Sequence, residues 1–323
     1  MPKLAALLPA LCAVLVVACG GDDGAPSSDV KSKIEDAKKV TAGEFPSSGG
    51  RTLQEIAATL RPGPELGLAT NTYVTGDNRL AYGVIDEAKK FVYGRTAVYV
   101  APSANDPAEG PYPAPPDSLV ADPAFRSSTA AAEEDAIAAI YHTRLPFKKP
   151  GRYEVLAVVK TPQGLTAAAD VIKVERRSSI PDVGERAPAV TTDTVASARG
   201  DIKAIETRVP PDTMHETNFK DVVGKRPVVL LFSTPQLCQS RVCGPVTDVA
   251  EQLKKEYGDR ATFIHQEVFV DNRLEKGLRP PLKEFGLETE PWLFTVKRDG
   301  TVAARLEGSF GQDEFRKAIE AAL

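Results

Sequence analysis

The spacing of hydrophobic residues changes near residue 180, and this change predicts two parts of different fold class. Before it, apolar and polar residues alternate over short runs bounded by turn residues, which is typical of β-strands. The predicted strands there cover residues 66–74, 79–85, 96–101, 137–145, 151–161 and 166–174. After it, apolar strands alternate with helical spacing, the strands at 228–232, 261–270 and 301–306 and the helices at 245–257, 282–285 and 312–322. The chain of 323 residues is therefore predicted to hold two domains, an all-β domain over residues 49–176 and an α/β domain over residues 187–323, with a polar linker over 177–186.

The all-β domain is predicted to be a sandwich of two antiparallel sheets, because its strands are short and separated by turn signals. The segment from Lys149 to Leu156 resembles the turn and strand that lead into the penultimate strand of immunoglobulin-like domains, so Tyr153 is expected at the sheet corner. Residues 101–123 contain seven prolines and are predicted to be a long surface loop. Residues 127–139 have helical propensity. Apolar and polar residues alternate from Ile137 onward, and this alternation favours a strand that begins at about that residue.

The first residues have the pattern of a bacterial export signal. An apolar run over residues 4–17 is short for a membrane span, so residues 1–18 are predicted to be cleaved. Val16-Val-Ala-Cys19 resembles a lipobox, with Val16 where leucine is usual, and the resemblance implies a lipid on Cys19 and a location on the outer face of the cytoplasmic membrane. The alternative is an ordinary secretory signal with Cys19 just beyond the cut. Residues 19–48 are predicted to be a flexible tether with a short helix over 30–40.

Composition and charge limit the classes of molecule that this chain is expected to bind. The chain is 42% hydrophobic and 26% charged, as in soluble globular proteins, and its net charge of −4 argues against nucleic acid. Of the four cysteines, Cys12 leaves with the signal and Cys19 carries the lipid. Cys238 and Cys243 remain as the sole pair, and outside the cytoplasm such a pair can oxidise.

Three phrases in the second domain resemble thioredoxin-like proteins of the redoxin type. They are Val183-Gly-Glu-Arg-Ala-Pro188 at its start, the strand, loop and helix that carry Cys238 and Cys243, and Glu290-Pro-Trp-Leu-Phe294 followed by the turn at 298–300. The order of predicted elements, βαβ then αββα, is that of the thioredoxin fold. The resemblance implies thiol–disulfide exchange, a hairpin after the first phrase, and a cis peptide at Pro291 beside the cysteine loop, with Glu290 presenting its backbone to an extended substrate peptide.

The cysteine loop departs from the thioredoxin pattern, which leaves two registers open. Thioredoxins have two residues between their cysteines, and this chain has four. Either Cys238 and Cys243 are the two family cysteines with an insertion, or Cys243-Gly-Pro-Val246 overlays the family motif with Val246 in place of the second cysteine. The tryptophan before the first cysteine is missing, and Leu231 stands where a buried carboxylate often assists proton transfer.

A cysteine at the start of a helix is expected to have a stabilised thiolate, and an inward-pointing Arg241 would add to this effect. A loop of four residues is short enough for the sulfurs to bond if the backbone folds back, so a Cys238–Cys243 disulfide is expected.

Two functions of different class fit these features. The first is thiol–disulfide exchange with extracytoplasmic protein thiols or disulfides, with Cys238 favoured as the attacking group. The second is a non-catalytic surface-binding lipoprotein in which the disulfide is structural. A copper site of the kind found in some proteins of this fold is disfavoured, because its cysteine spacing differs and His265 lies on a strand. We expect no metal and no cofactor, and we expect structural or surface roles for His142 and His215.

Overall fold

The computed structural model describes residues 26–128 and 137–323. The export signal, Cys12 and the lipidation site Cys19 lie outside the described residues, as does most of the helix predicted over 127–139. No helix in the described ranges is long and apolar enough to cross a membrane.

Helix α1 (Ser28–Ala37) lies in residues 19–48, the predicted tether, and overlaps the short helix predicted over 30–40. Its first turn is capped by Ser27, whose hydroxyl accepts a hydrogen bond from the backbone N–H of Val30 at 3.2 Å. Ile34 and Ala37, spaced three apart on one face, are both buried. The helix therefore packs onto the strands that follow it, and residues 28–48 belong to the folded structure.

The second short helix, α2 (Leu53–Ala57), begins with a capping box. The Thr52 hydroxyl accepts from the N–H of Glu55 at 3.1 Å, and the Glu55 carboxylate accepts from the N–H of Thr52 at 2.8 Å. Leu53 and Ile56 face inward and pack on the outer side of the first sheet.

Two sheets follow, and together they form a sandwich. The first has strand order β1-β10-β9-β5-β6, with β3 also paired to β10, and the second has order β2-β4-β8-β7. The strands are β1 (Arg61–Pro62), β2 (Glu65–Leu68), β3 (Tyr73–Val74), β4 (Gly76–Ile85), β5 (Thr96–Ala101), β6 (Glu109–Pro113), β7 (Pro116–Ser118), β8 (Ala139–Phe147), β9 (Gly151–Thr161) and β10 (Gly164–Glu175). Pairing is antiparallel except where β1 and β3 run parallel to β10. The prediction of two purely antiparallel sheets is therefore wrong for the first sheet.

The prediction of a surface loop over residues 101–123 is wrong, because this stretch contains β6 and β7. Both are edge strands, and an edge strand tolerates prolines since one side of its backbone has no partner to satisfy. In β6, Tyr112 and Pro113 pair with Val98 and Ala97 of β5. The predicted single strand over 66–74 is likewise divided into β2 and β3.

The core of the sandwich lies between the two sheets and is rich in tyrosine. Tyr82 and Tyr141 stack with ring centroids 5.5 Å apart, and their hydroxyls are paired with the Thr96 hydroxyl and the Gly94 N–H. Tyr153 packs against a phenylalanine of β8, and its hydroxyl donates to the carbonyl of Lys149 at 3.0 Å. The predicted place of Tyr153 near the sheet corner agrees with this contact. Membership of the immunoglobulin class stays a prediction.

The second part has the thioredoxin-like arrangement that the sequence implied. Its sheet has strand order β12-β11-β13-β14, with β11 parallel to β12 and antiparallel to β13. The strands are β11 (Val228–Phe232), β12 (Thr262–Gln266), β13 (Trp292–Val296) and β14 (Val302–Glu307), and the helices are α3 (Phe219–Val222), α4 (Cys243–Tyr257), α5 (Pro280–Glu284) and α6 (Gln312–Glu320). Between Pro188 and α3, where the resemblance implied a hairpin, the chain forms only the 3₁₀ turn Ile202–Ala204.

The two parts share a hydrophobic core. The apolar face of α4 and the strands β11 and β13 pack together with side chains of the sandwich, namely Ala81, Leu119, Ala121 and Ile140. Arg79 of β4 reinforces this contact by donating to the Glu314 carboxylate at 2.6 Å and to the carbonyls of Glu307 and Ser309 at 2.8 and 2.7 Å. The predicted linker joins parts that are packed directly on one another.

Asp117 of β7 caps helix α6 from the other part of the chain. Its carboxylate oxygens accept from the backbone N–H groups of Asp313 and Glu314 at 2.9 and 2.8 Å, while the helix's own N-cap position is Gly311. A Cβ on Gly311 would lie 2.5 Å from the Asp117 carboxyl carbon, so glycine is what permits this close approach. Burial raises the pKa of Asp117 to about 6, against the effect of these two donors.

Replacing Asp117 with alanine leaves the N–H groups at the start of α6 without acceptors. We expect Asp117→Ala to lower the free energy of unfolding by about 2–3 kcal/mol, because it removes a helix cap at a largely buried contact. Urea denaturation followed by fluorescence of Trp292, the single tryptophan, measures this loss. Asp313→Ala, in the same turn but exposed, is the control and should change stability by less than about 1 kcal/mol. Equal losses in the two variants would contradict the capping role.

Candidate active site at the cysteine loop

The cysteine loop joins the end of β11 to the start of α4. Strand β11 is buried along its whole length, and Cys243 is the first residue of α4. Cys243 is fully buried, Cys238 is half-buried, and both are free thiols in this structure. The N–H of Arg241 donates to the carbonyl of Cys238 at 3.3 Å, and Arg241 has a left-handed φ of 59°. This turn folds Cys238 back over the start of the helix.

The two thiols have opposite pKa shifts. A hydrogen bond from the Cys243 thiol lowers the pKa of Cys238 to about 6, against the effect of burial, and the Ser240 hydroxyl, 3.2 Å from the sulfur, acts in the same direction. Burial, followed by the neighbouring Cys238 sulfur, raises the pKa of Cys243 well above its usual value. The site therefore holds a thiolate at Cys238 beside a protonated Cys243.

Backbone groups at and before the helix start act on Cys238, although Cys243 is the first residue of α4. The backbone N–H groups of Cys243 and Ser240 both lower the pKa of Cys238. Arg241 is exposed and is not among the groups that lower it. Cys243 and Val246, three positions later on α4, are both fully buried. The two registers considered for the motif both remain predictions.

Glu290 and Pro291 lie beside the cysteines, and the peptide bond between them is cis, as predicted. Burial raises the pKa of the Glu290 carboxyl to about 7, and the negative Cys238 sulfur adds to the shift. The Pro291 carbonyl accepts from the N–H of Gly308 at 2.8 Å, which joins this segment to the end of β14. The site thus contains a second group that titrates near neutral pH.

A largely apolar cleft of about 280 Å³ opens next to the cysteine loop. One wall comes from the loop and from the segment before Pro291, through Ser240, Val242 and Glu290. The other wall comes from the sandwich, and its larger side chains are Leu68, Ile85, Phe91, Ile137 and Ile140. No local sequence pattern predicts this wall, because it forms only where β2, β4 and β8 meet the second part.

Beneath the loop lies a buried group of four side chains that the sequence analysis missed. Glu206, Asp212, His215 and His265 place their ligand atoms within 4.8 Å of one another. His265 joins this group to the loop, since its Nε2 lies 3.0 Å from the carbonyl oxygen of Ser233. Although burial opposes it, Asp212 and Glu206 raise the pKa of His265 well above its usual value.

Three of these residues lie within ten positions of one another in a stretch without regular structure, and His265 lies on a strand of apolar neighbours. His265, a titratable residue on a strand predicted to be buried, was the one sequence signal for this group. We expected a structural role for His215, and the structure shows its ring buried against Glu206 at 2.8 Å. His142 lies instead near Asp117 and Glu314, in a second group whose carboxylates already accept from backbone N–H groups and Arg79.

The low pKa of Cys238 predicts the pH dependence of its alkylation. In the reduced protein, the rate of reaction with iodoacetamide at Cys238 should rise with pH about a midpoint near 6, while Cys243 stays unmodified. Ser240→Ala removes a hydrogen bond to the sulfur and should raise the midpoint by up to about one unit. Gln239→Ala, at an exposed neighbouring position, should leave it unchanged.

The same shift affects stability. The folded-state pKa lies below the ordinary value of 9.0, so the reduced protein should gain stability as the pH rises from 6 to 9 and lose it as the pH falls through 6. A midpoint near 9 for the alkylation of Cys238 would show that these hydrogen bonds do not lower its pKa, and would contradict both expectations.

The Cys238 thiolate should influence the titration of Glu290. Cys238 ionises near pH 6, before Glu290, so its negative sulfur raises the pKa of the Glu290 carboxyl. We expect Cys238→Ser to lower the pKa of Glu290 from about 7, because the carboxylate no longer faces a thiolate. Carbon-13 NMR of the carboxyl groups measures this change, and the exposed Glu288, two positions earlier, is the control within the same spectra. An unchanged pKa of Glu290 in Cys238→Ser would show that the two groups do not interact.

Comparisons with known proteins give a limited likeness. No protein-family profile matches the chain, and no curated protein sequence matches it. Among solved structures, it is similar to a Chlorobium tepidum protein described as a thiol:disulfide interchange protein, DsbE, with 16% identity and a TM-score of 0.32 over 44% of this chain and 98% of that chain. It is also similar to MTB DsbF, with 22% identity and a TM-score of 0.26 over 35% of this chain and 92% of that chain. Each likeness spans nearly all of the other protein and less than half of this one, and at these TM-scores the thioredoxin-like fold of the second part rests on its own sheet order and connections.

Proposed function

We propose that this protein exchanges thiols and disulfides with other proteins through Cys238 and Cys243. The observation that carries the proposal is the pairing of a half-buried Cys238, with a pKa of about 6, and a fully buried Cys243 with a raised pKa. A low pKa makes Cys238 the attacking thiolate at neutral pH. Cys243 stays protonated beside it and reacts in the second step.

The exchange proceeds in two steps when the partner is a disulfide. The Cys238 thiolate attacks one sulfur of the partner, the partner's S–S bond breaks, and its other sulfur leaves as a thiolate. Cys243 then gives up its proton and attacks the Cys238 sulfur, which releases the partner's second thiolate. The partner gains two electrons, and Cys238 and Cys243 become a disulfide. The reverse sequence oxidises a dithiol partner.

Glu290 is the proton acceptor that we assign to Cys243. Its pKa of about 7 lets it take up a proton near neutral pH, and burial of Cys243 raises the pKa of that thiol with Glu290 acting in the same direction. Once Cys238 is bound in a mixed disulfide, its negative charge is gone and the deprotonation of Cys243 becomes easier.

The partner is expected to dock at Glu290 and Pro291 and to extend into the apolar cleft. The cleft begins at Ser240 and Glu290, both next to Cys238, and continues along the sandwich wall. An unfolded or extended segment with apolar side chains fits such a surface better than a charged one. Residues 49–176, which we assign to an immunoglobulin-like domain, would then contribute to partner binding.

The site of action that we propose is the outer face of the bacterial cytoplasmic membrane. The lipobox resemblance at Val16–Cys19 supports an anchor on Cys19, and the count of cysteines leaves Cys238 and Cys243 as the pair able to cycle there. Protein thiols and disulfides in that compartment are the proposed partners.

Turnover and redox potential test the proposal together. Mature protein is equilibrated in redox buffers to measure the potential of the Cys238–Cys243 pair, and its reduction of insulin is assayed. We expect Cys238→Ser and Cys243→Ser each to abolish turnover. Only Cys243→Ser should retain mixed disulfides with a partner, because it keeps the attacking sulfur and lacks the resolving one.

Gln239→Ala, between the two cysteines, is the control and should keep full turnover. A potential below about −300 mV without turnover would identify a structural disulfide, and the protein would then be a non-catalytic binding lipoprotein. Mixed disulfides that form in Cys238→Ser and not in Cys243→Ser would reverse the two roles.

A further inference from the structure

The four side chains beneath the cysteine loop, Glu206, Asp212, His215 and His265, form what we call the histidine–carboxylate cluster. The cluster brings together residues of the irregular segment before α3 and one residue of β12. All four side chains are at most 1% exposed. Charged and polar groups so completely removed from water require compensation within the protein.

Four nitrogen–oxygen separations in the cluster, which involve both oxygens of Asp212, lie close to the ligand spacing of a tetrahedral metal site. His215 Nε2 lies 2.8 Å from Glu206 Oε2 and 3.5 Å from Asp212 Oδ1. His265 Nδ1 lies 2.7 Å from Asp212 Oδ2 and 3.4 Å from Glu206 Oε2. Ligands bound to zinc at 2.0–2.1 Å in a tetrahedron are roughly 3.3 Å apart. Two of the four separations already match this value, and the other two need to open by about 0.5 Å.

The donor set of the cluster suits a divalent cation. It offers two imidazole nitrogens and two carboxylate groups, all buried, with one ligand atom of each residue within 4.8 Å of the others. Imidazole nitrogens and carboxylate oxygens are both common zinc ligands in proteins.

The ligand atoms are oriented by backbone groups around the cluster. His265 Nε2 donates to the carbonyl of Ser233 at 3.0 Å, which turns Nδ1 toward the carboxylates. Glu206 Oε1 accepts from the N–H of Arg208 at 2.7 Å, and Asp212 Oδ1 accepts from the N–H of Met214 at 2.7 Å. Such outer contacts fix the orientation of ligands in metal sites.

We propose that Glu206, Asp212, His215 and His265 bind one divalent transition-metal ion of the zinc class. Two imidazoles and two carboxylates suit zinc, while magnesium and calcium prefer oxygen ligands alone and monovalent copper prefers sulfur. Four protein ligands in a closed pocket leave no position for a substrate, so the metal is structural. Through His265 and Ser233 it holds the end of β11, and the Ser233 hydroxyl lies 3.3 Å from the carbonyl of Cys243 at the start of α4.

Metal analysis of the full mature chain tests this proposal. Protein produced with zinc in the medium and passed through a chelating wash should contain about one equivalent of zinc. His215→Gln should lower the bound zinc by about tenfold or more, since it replaces a ligand. His142→Gln is the matched control, because it removes the histidine of the other acidic group and should leave the zinc content unchanged.

Cobalt substitution keeps the test decisive if His215→Gln fails to fold. Co²⁺ in the unaltered protein should give the visible absorption of a tetrahedral ion without a thiolate charge-transfer band, and the Cys238→Ser/Cys243→Ser double variant should give the same spectrum. Wild-type protein that takes up neither zinc nor cobalt would show that the cluster is a hydrogen-bonded network alone. A thiolate band, or zinc lost with the cysteines, would place the metal at the loop, and either result would overturn the proposal.

Discussion

Complete burial of strand β11 is the constraint on which the site depends. Val229 and Leu231 face the core shared with the sandwich, while Val228, Leu230 and Phe232 face the core on the opposite side of the sheet. A shift in register by one residue would exchange the side chains of two closely packed cores and disrupt the packing of both. The chain therefore leaves the sheet at Ser233 in a defined position, and the cysteine loop starts from a rigid base.

Burial and hydrogen bonding in this loop shift the pKa values of its two cysteines in opposite directions. Cys243 is fully buried as the first residue of α4, so its thiol is desolvated, while Cys238 is half-buried and accepts from N–H and hydroxyl donors. The same desolvation reaches Glu290, and the result is a set of three groups whose proton affinities are displaced from their ordinary values. Displaced values of this kind are characteristic of functional sites.

The sandwich has a larger role than that of a separate neighbour. It supplies Asp117 to cap α6, Arg79 to pair with Glu314, and the far wall of the cleft beside Cys238. The polar contacts are largely buried and accompany a hydrophobic core shared by the two parts, as in the interior of a single domain. The far wall of the cleft thus comes from strands that are distant in sequence from the cysteines.

The sequence by itself determined the local features, because hydrophobic period, turn residues and caps act over a few positions. It predicted β11, the helix that follows it, the order βαβ then αββα, and the pairing of Cys238 with Cys243 as the candidate site. It also predicted the cis bond before Pro291, through the resemblance of Glu290-Pro-Trp-Leu-Phe294 to thioredoxins. The edge strands β6 and β7 escaped prediction, since proline-rich segments pair only where a neighbouring strand offers a partner.

Only the tertiary structure decided which groups meet across long separations in the chain. Glu206 and His265 lie 59 positions apart in the chain, and no local pattern links them. The low pKa of Cys238 likewise depends on the fold, because it arises from a hydrogen bond from the Cys243 thiol and from donors of Ser240 that the loop turns toward the sulfur. Electrostatic effects depend on distance and on exclusion of water, and both are established when the two parts of the chain pack together.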